Sequence, residues 1–264
     1  MSPEPTSSVY RQAAVASDGP RGAPPPAGAR DRRRAARFRP GRRSAGLLLA
    51  TAAVVYNDWL LEFWLPTGLD PRHSYVSELF AADQPFRVTF AIVELLAAVL
   101  VAGGALLARS AADDPWSRAG CRCLAAFGAA SVADVVVPMR CAPSVEAGCE
   151  AVNPWHTTTS ALVHAALFIS MALFAVAARD GRSRWSALRR WIPWVPAGAL
   201  VAAVSTVGPL FGHPGWHGVP QRAHLVLAGM WFALLATALL RAAPGGRGEA
   251  QTSSSGTAAG TSHS

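Results

Sequence analysis

Six long blocks dominate the pattern of apolar and polar positions: 44–66, 87–109, 119–138, 158–178, 191–211 and 223–243. Each is rich in Ala, Leu and Val and has about the 20 residues that a helix needs to cross a bilayer core. None shows the alternation of apolar and polar positions that marks barrel strands. The pattern predicts an all-α fold, a six-helix transmembrane bundle over 44–242. Outside it, 1–43 holds Pro, Gly, Ser, Ala and Arg with almost no large apolar residue, and 243–264 is rich in Gly, Ser and Thr. Neither can bury enough apolar surface to fold, so both are predicted to be disordered tails.

Composition sharpens this picture. Hydrophobic residues make up 51% and charged ones 15%, against about 25% charged in soluble domains. All 24 basic residues are arginine, as expected of a GC-rich bacterial genome, and their placement orients the bundle. With the N-terminus in the cytoplasm, only Arg72, Arg87, Arg140 and Arg222 fall outside. The positive-inside rule therefore predicts a multi-pass plasma-membrane protein with both termini cytoplasmic. The formal charge of +8 does not imply nucleic-acid binding, because the arginines between Arg30 and Arg43 stand where a cytoplasmic anchor belongs. Such a segment is drawn to anionic headgroups, and membrane lipids are the expected partners. The first block follows Arg42-Arg43 but runs on through Trp59 and Trp64 to Pro66. That length suits a retained helix better than a signal peptide, whose apolar region spans about 7–15 residues.

The candidate chemistry lies toward the arginine-poor side. Cys141 and Cys149 fall in the loop after the third block, where an oxidising compartment favours a disulfide. Cys121 and Cys123, at the other end of that block, read as small packing residues. Ionisable groups within a span cost about 2.5–3.5 kcal/mol at its centre on insertion scales, so each requires a reason. Asp58 and Glu62 sit four apart in the first block, on one face of a continuous helix. Glu94, Asp134 and His164 lie in the next three. At ~1.5 Å per residue, all five come within roughly 6–12 Å of the outer interface. His156, Ser160 and His164 form a stripe at four-residue steps. The outer loops add Asp70, Arg72, His73, Ser74, Ser77 and Glu78, then Arg140, then His213, His217, Gln221 and Arg222, with His224 opening the last block.

Singly, these residues have plain readings. The acids can pair with Arg72, Arg87 or Arg222 and fix helix register, and a histidine can simply hydrogen-bond between helices. Their convergence at one depth instead predicts a polar pocket open to the outside. One use is non-covalent binding of a lipid headgroup or small polar ligand by Asp58, Glu62, Asp70, Arg72, His73, Ser74, Glu78, Arg140, Gln221 and Arg222. Arginines would contact phosphate, and the acids would position them or engage an amine. The alternative is a hydrolase at the outer leaflet, with zinc on histidines from the set His156, His164, His217 and His224. Asp134 or Glu94 would then act as general base and Ser77 would supply a hydroxyl. No cofactor is specified by the sequence, and zinc belongs to that second reading alone. A transporter finds modest support, since no internal repeat is evident.

The order of landmarks resembles the domain-of-unknown-function 998 family of bacterial and archaeal membrane proteins. The likeness covers most of 44–242. It rests on Asp70 to Leu79 with its Ser-x-x-Ser-Glu-Leu core, Asp134 with Pro138, the Cys141-Ala-Pro-Ser…Cys149 loop, and His156 with His164. Gly218-Val219-Pro220-Gln221-Arg222 before His224 and Trp231 completes it. Relatives often carry an acid just before the first loop cysteine, where this chain has Arg140; if that acid is a ligand in relatives, the departure implies either that this chain lacks the activity or that Arg140 pairs with Asp134 instead. The resemblance implies fold and topology rather than an activity. A looser likeness of ingredients links Ser77, Asp134, His156, His164 and one of His217 or His224 to membrane hydrolases of the alkaline ceramidase and adiponectin-receptor group. Those have seven helices around zinc. Here six blocks are found, and the one H-x-x-x-H, His213 to His217, is interrupted by Pro214-Gly215.

Overall fold

The computed structural model describes residues 40–150, 153–181, 183–211 and 215–241. Of the predicted tails, only 40–43 fall among these, and they already belong to a helix; the rest, and His213, lie outside the described residues. The described residues are all-helical. The helices are α1 (Pro40–Val55), α2 (Arg87–Arg109), α3 (Pro115–Val136), α4 (Pro154–Ala177), α5 (Val195–Ser205) and α6 (Gly218–Leu240), with four short 3₁₀ helices between them. α2, α3, α4 and α6 are each long and apolar enough to cross a membrane, as is α1 taken with the 3₁₀ turn after it, over Gly41–Phe63.

Local chemistry sets where the helices start and stop. α3 and α4 begin ahead of their apolar blocks because each has a polar cap followed by proline. Asp114 accepts from Ser117 N at 2.9 Å, and Asn153 accepts from Trp155 N and His156 N at 3.2 and 3.3 Å. α5 keeps only 11 residues of its predicted block. Pro196 sits in its first turn, and Pro209 disfavours α geometry at Gly208. α1 also ends early: after Val55 the chain tightens into a 3₁₀ helix, Asp58–Phe63.

Around the bundle the helices neighbour one another in the order α5, α6, α1, α2, α3, α4, and the ring is nearly open between α4 and α5, which touch at few points. Tyr56, Phe127 and Phe232 meet edge to face at the centre, with ring centroids 5.4–5.7 Å apart. Below them Phe174 packs on Trp185 and Trp231. This half of the bundle is an apolar core. The outward faces are apolar too. On α2, Val88, Ile92, Leu96, Val99 and Leu106 form one exposed stripe at helical spacing, as a surface solvated by hydrocarbon requires. Exposed Trp64, Trp155 and Trp216 flank one end of the bundle and Trp116 and Trp194 the other, as interfacial aromatics do.

Candidate functional site

At the end where α1, α3 and α5 finish and α2, α4 and α6 begin, the core gives way to a cavity of about 190 Å³. Every helix, or the turn beside it, contributes to the wall. Asp58 comes from the turn after α1, Glu94 from α2, Ser131 and Asp134 from α3, and His156, Ser160 and His164 from α4; Thr206 follows α5, and Gln221 belongs to α6. Of the five groups expected at one depth, Asp58, Glu94, Asp134 and His164 line this space, joined by His156, while Glu62 does not. Ser77 lines it as well, with its hydroxyl 3.5 Å from Met139 Sδ.

Asp134 is the most connected of the acids. Thr159 and Ser160 hydroxyls donate to its Oδ1 at 2.5 and 2.8 Å, and His156 Nδ1 stands 3.4 Å from the same oxygen. Crowding on Oδ1 leaves Oδ2 to the cavity. Arg140 is exposed and makes no ion pair with Asp134, contrary to the pairing expected from its position. Asp58 and Glu94 have no basic partner among the described residues. Three imidazoles have a fixed orientation. His156, His164 and His224 each direct Nδ1 at a backbone carbonyl, of Val137, Ser160 and Ala199, at 2.7–3.0 Å. Since a carbonyl only accepts, Nδ1 carries the proton in each.

Several expected ligand residues are elsewhere. Asp58 and Glu62 do not share a face, because a 3₁₀ helix has three residues per turn and sets positions four apart about 120° from each other. Asp58 turns into the cavity, whereas Glu62 turns to Arg222 in a buried bidentate pair, with both N–O distances 2.7 Å. The remaining guanidinium nitrogen, Nη1, donates to the carbonyls of Pro71, Ser74 and Gly218. Ser74 Oγ bonds Asp70 O, and Arg72 pairs with Asp70 on the surface. His73 Nδ1 accepts from Trp216 N at 3.2 Å. These residues dock the first loop on the start of α6. Glu78, fully buried, accepts from Tyr75 N, Ser144 N and Ser144 Oγ, tying that loop to the segment closed by the Cys141–Cys149 disulfide. Gln221 does both jobs, lining the cavity while its Oε1 accepts from Val76 N at 2.6 Å.

The four histidines expected to hold zinc do not form one set. His164 stacks on His224 with centroids 4.9 Å apart, His156 sits with Asp134, and His217 lies against Tyr75 at 4.2 Å. Among the described residues no three His, Cys, Asp or Glu side chains are grouped to hold a metal ion. The sequence reading also missed lining residues, notably Tyr56, Tyr75, Phe80 and Ser131. Ser131 carried a signal, standing three residues before Asp134 on the same helical face. Tyr56 carried none, because a ring within an apolar run looks like core, whereas Tyr75 and Phe80 stand in and beside the loop segment from Asp70 to Leu79.

Comparison with curated proteins and with solved structures returns no match. The family described as "Protein of unknown function (DUF998)" matches residues 44–238, which takes in all six helices but for the ends of α1 and α6. This chain is a member of that family, and its helices make it a membrane protein.

Proposed function

We propose that the cavity binds a small organic cation, an ammonium group above all, without covalent chemistry, and that it faces the outside of the plasma membrane. One observation carries the reading: carboxylates from the turn after α1 and from two further helices, Asp58, Glu94 and Asp134, line a space whose wall, among the described residues, contains no arginine. Arg72 and Arg222 are paired with other acids, and Arg87 and Arg140 are exposed away from the lining. A phosphate would therefore meet no guanidinium here, and the headgroup reading narrows to its amine. Carboxylates gathered in a low-dielectric site repel one another unless a proton or a cation neutralises them, and an ammonium group supplies that cation. Tyr56, Tyr75 and Phe80 add ring faces, which attract such a cation further.

The test is binding to detergent-purified protein by calorimetry, with propylammonium, tetramethylammonium, inorganic phosphate and acetate as probes. Saturable binding of the ammonium ions, weakened about tenfold by Glu94→Gln, supports the reading, since a hydrogen bond to a charged group contributes roughly 1.5–3 kcal/mol. Binding of phosphate or acetate in preference to the amines overturns it, as does the absence of saturable ammonium binding.

A further inference from the structure

We infer that the cation is the head of an amphiphile, whose hydrocarbon chain leaves the bundle through the seam between α4 and α5. This rests on the ammonium reading of the cavity and names the class of molecule and its route. At the end of the cavity nearest the loops, Val76, Phe80 and Met139, which are 8%, 8% and 4% exposed, form part of a roof beside half-buried Tyr75, Ser77 and Asn153. The roof is held down by the Glu78–Ser144 hydrogen bonds. The opposite end is closed by the central aromatic core. The side is different. α4 and α5 scarcely touch, although every other pair of neighbours around the bundle packs extensively.

What joins α4 to α5 is a residue of α6. His224 reaches Ala199 O of α5 at 3.0 Å and stacks its ring on His164 of α4. On the loop side of this bridge, the cavity wall passes from Ser160, Val163 and His164 on α4 to Thr206 and Val207 just past α5. The cavity wall thus spans a seam at which the two helices scarcely touch. The surface flanking the seam's two helices is apolar: Leu162 of α4 and Val201 and Val204 of α5 are 57%, 66% and 60% exposed. A free, hydrated amine gains nothing from such a flank, whereas an alkyl chain covers it and remains in contact with lipid. Carboxylates inside and hydrocarbon outside, joined at one opening, match a long-chain amine or an amine-headed lipid.

The experiment uses the full chain in nanodiscs and a hexadecylamine carrying a diazirine in its chain, with adducts mapped by mass spectrometry after illumination. Adducts concentrated on α4 and α5, with yield falling about tenfold in Glu94→Gln, are expected. Adducts spread evenly around the bundle, or concentrated on another pair of helices, overturn the inference. Propylammonium titration of the same samples separates the two levels. If it still binds in a Glu94-dependent way while the chain labels elsewhere, the cavity holds an ammonium group but the seam is not its route. If neither amine depends on Glu94, the ammonium reading fails as well.

Discussion

At the scale of single residues, the strongest constraint is Arg222. Its guanidinium is bound on one edge by Glu62 and on the other by three backbone carbonyls, all within a buried setting. Removing one partner of such a pair leaves a buried charge uncompensated, at a cost of about 3–5 kcal/mol. Glu62→Gln is therefore expected to lower the thermal unfolding midpoint in detergent sharply. Arg222→Lys is expected to do the same despite keeping the charge, because an ammonium cannot present two parallel donors to a carboxylate. His217 gives a second, opposite kind of test. Its burial, together with His73 and Arg222 nearby, holds the imidazole below its ordinary range, and its Nδ1 has no hydrogen-bond partner. The unfolded chain takes up this proton more readily, so the histidine's contribution to stability is complete above about pH 6.5 and is lost as the pH falls through its folded value. Acidification should thus lower the midpoint of the native protein more than that of His217→Phe, which keeps the ring against Tyr75. Parallel curves for the two proteins would show that this imidazole does not titrate with folding.

At the scale of elements, close approach decides which helices can be neighbours. A Cβ at Gly128 of α3 would lie 2.6 Å from Ala98 O and 2.9 Å from Ala102 Cβ on α2, so the backbones there touch. Gly128→Ala should destabilise by roughly 1–3 kcal/mol as the two helices are pushed apart. At Gly103 a Cβ meets only Leu48 Cδ1 at 3.7 Å, ordinary contact, and Gly103→Ala is expected to be neutral or to stabilise by up to about 1 kcal/mol through helix propensity. Denaturant titration of the two variants side by side measures the contrast. The same scale explains what could be read from the chain. Depth along a helix is a count of residues, so the nearness of Asp58, Glu94, Asp134 and His164 to one another was legible, whereas Glu62, counted to the same depth, lies outside the lining. Direction around a helix was legible only where the helix stays α. Where α1 tightens after Val55, Asn57 Nδ2 donates to Ala53 O at 3.0 Å and fits against α6 at Gly229, where a Cβ would stand 2.5 Å from it. No local pattern announces the contact with Gly229, and beyond the tightening Glu62 meets Arg222 while Asp58 faces the cavity. The arginines misled for a related reason. Arg72 is taken by Asp70, two residues before it, and Arg222 by Glu62, 160 residues before it, and only the first of these pairs lies within reach of a local reading.

At the scale of the whole molecule, the arginines divide unequally between the two ends of the bundle. The cavity end carries Arg72, Arg87, Arg140 and Arg222, yet the first is paired with Asp70 and the last with Glu62. Arg87 and Arg140 remain. The other end displays Arg42, Arg43, Arg109, Arg118 and Arg122 on α1 to α3 alone. Segments rich in arginine are retained in the cytoplasm during insertion, and acids contribute little to the choice, so the cavity end is the one expected to cross. The Cys141–Cys149 disulfide lies at that end, and disulfides persist in oxidising compartments. Two exposed positions test the orientation, Asp83 at the cavity end and Asp113 at the other. With Cys121 and Cys123 replaced by serine, Asp83→Cys should react with a membrane-impermeant maleimide added to intact cells. Asp113→Cys should react only after the membrane is opened. The reverse pattern would turn the acidic cavity toward the cytoplasm, where its cation would have to come from the cell interior or the inner leaflet.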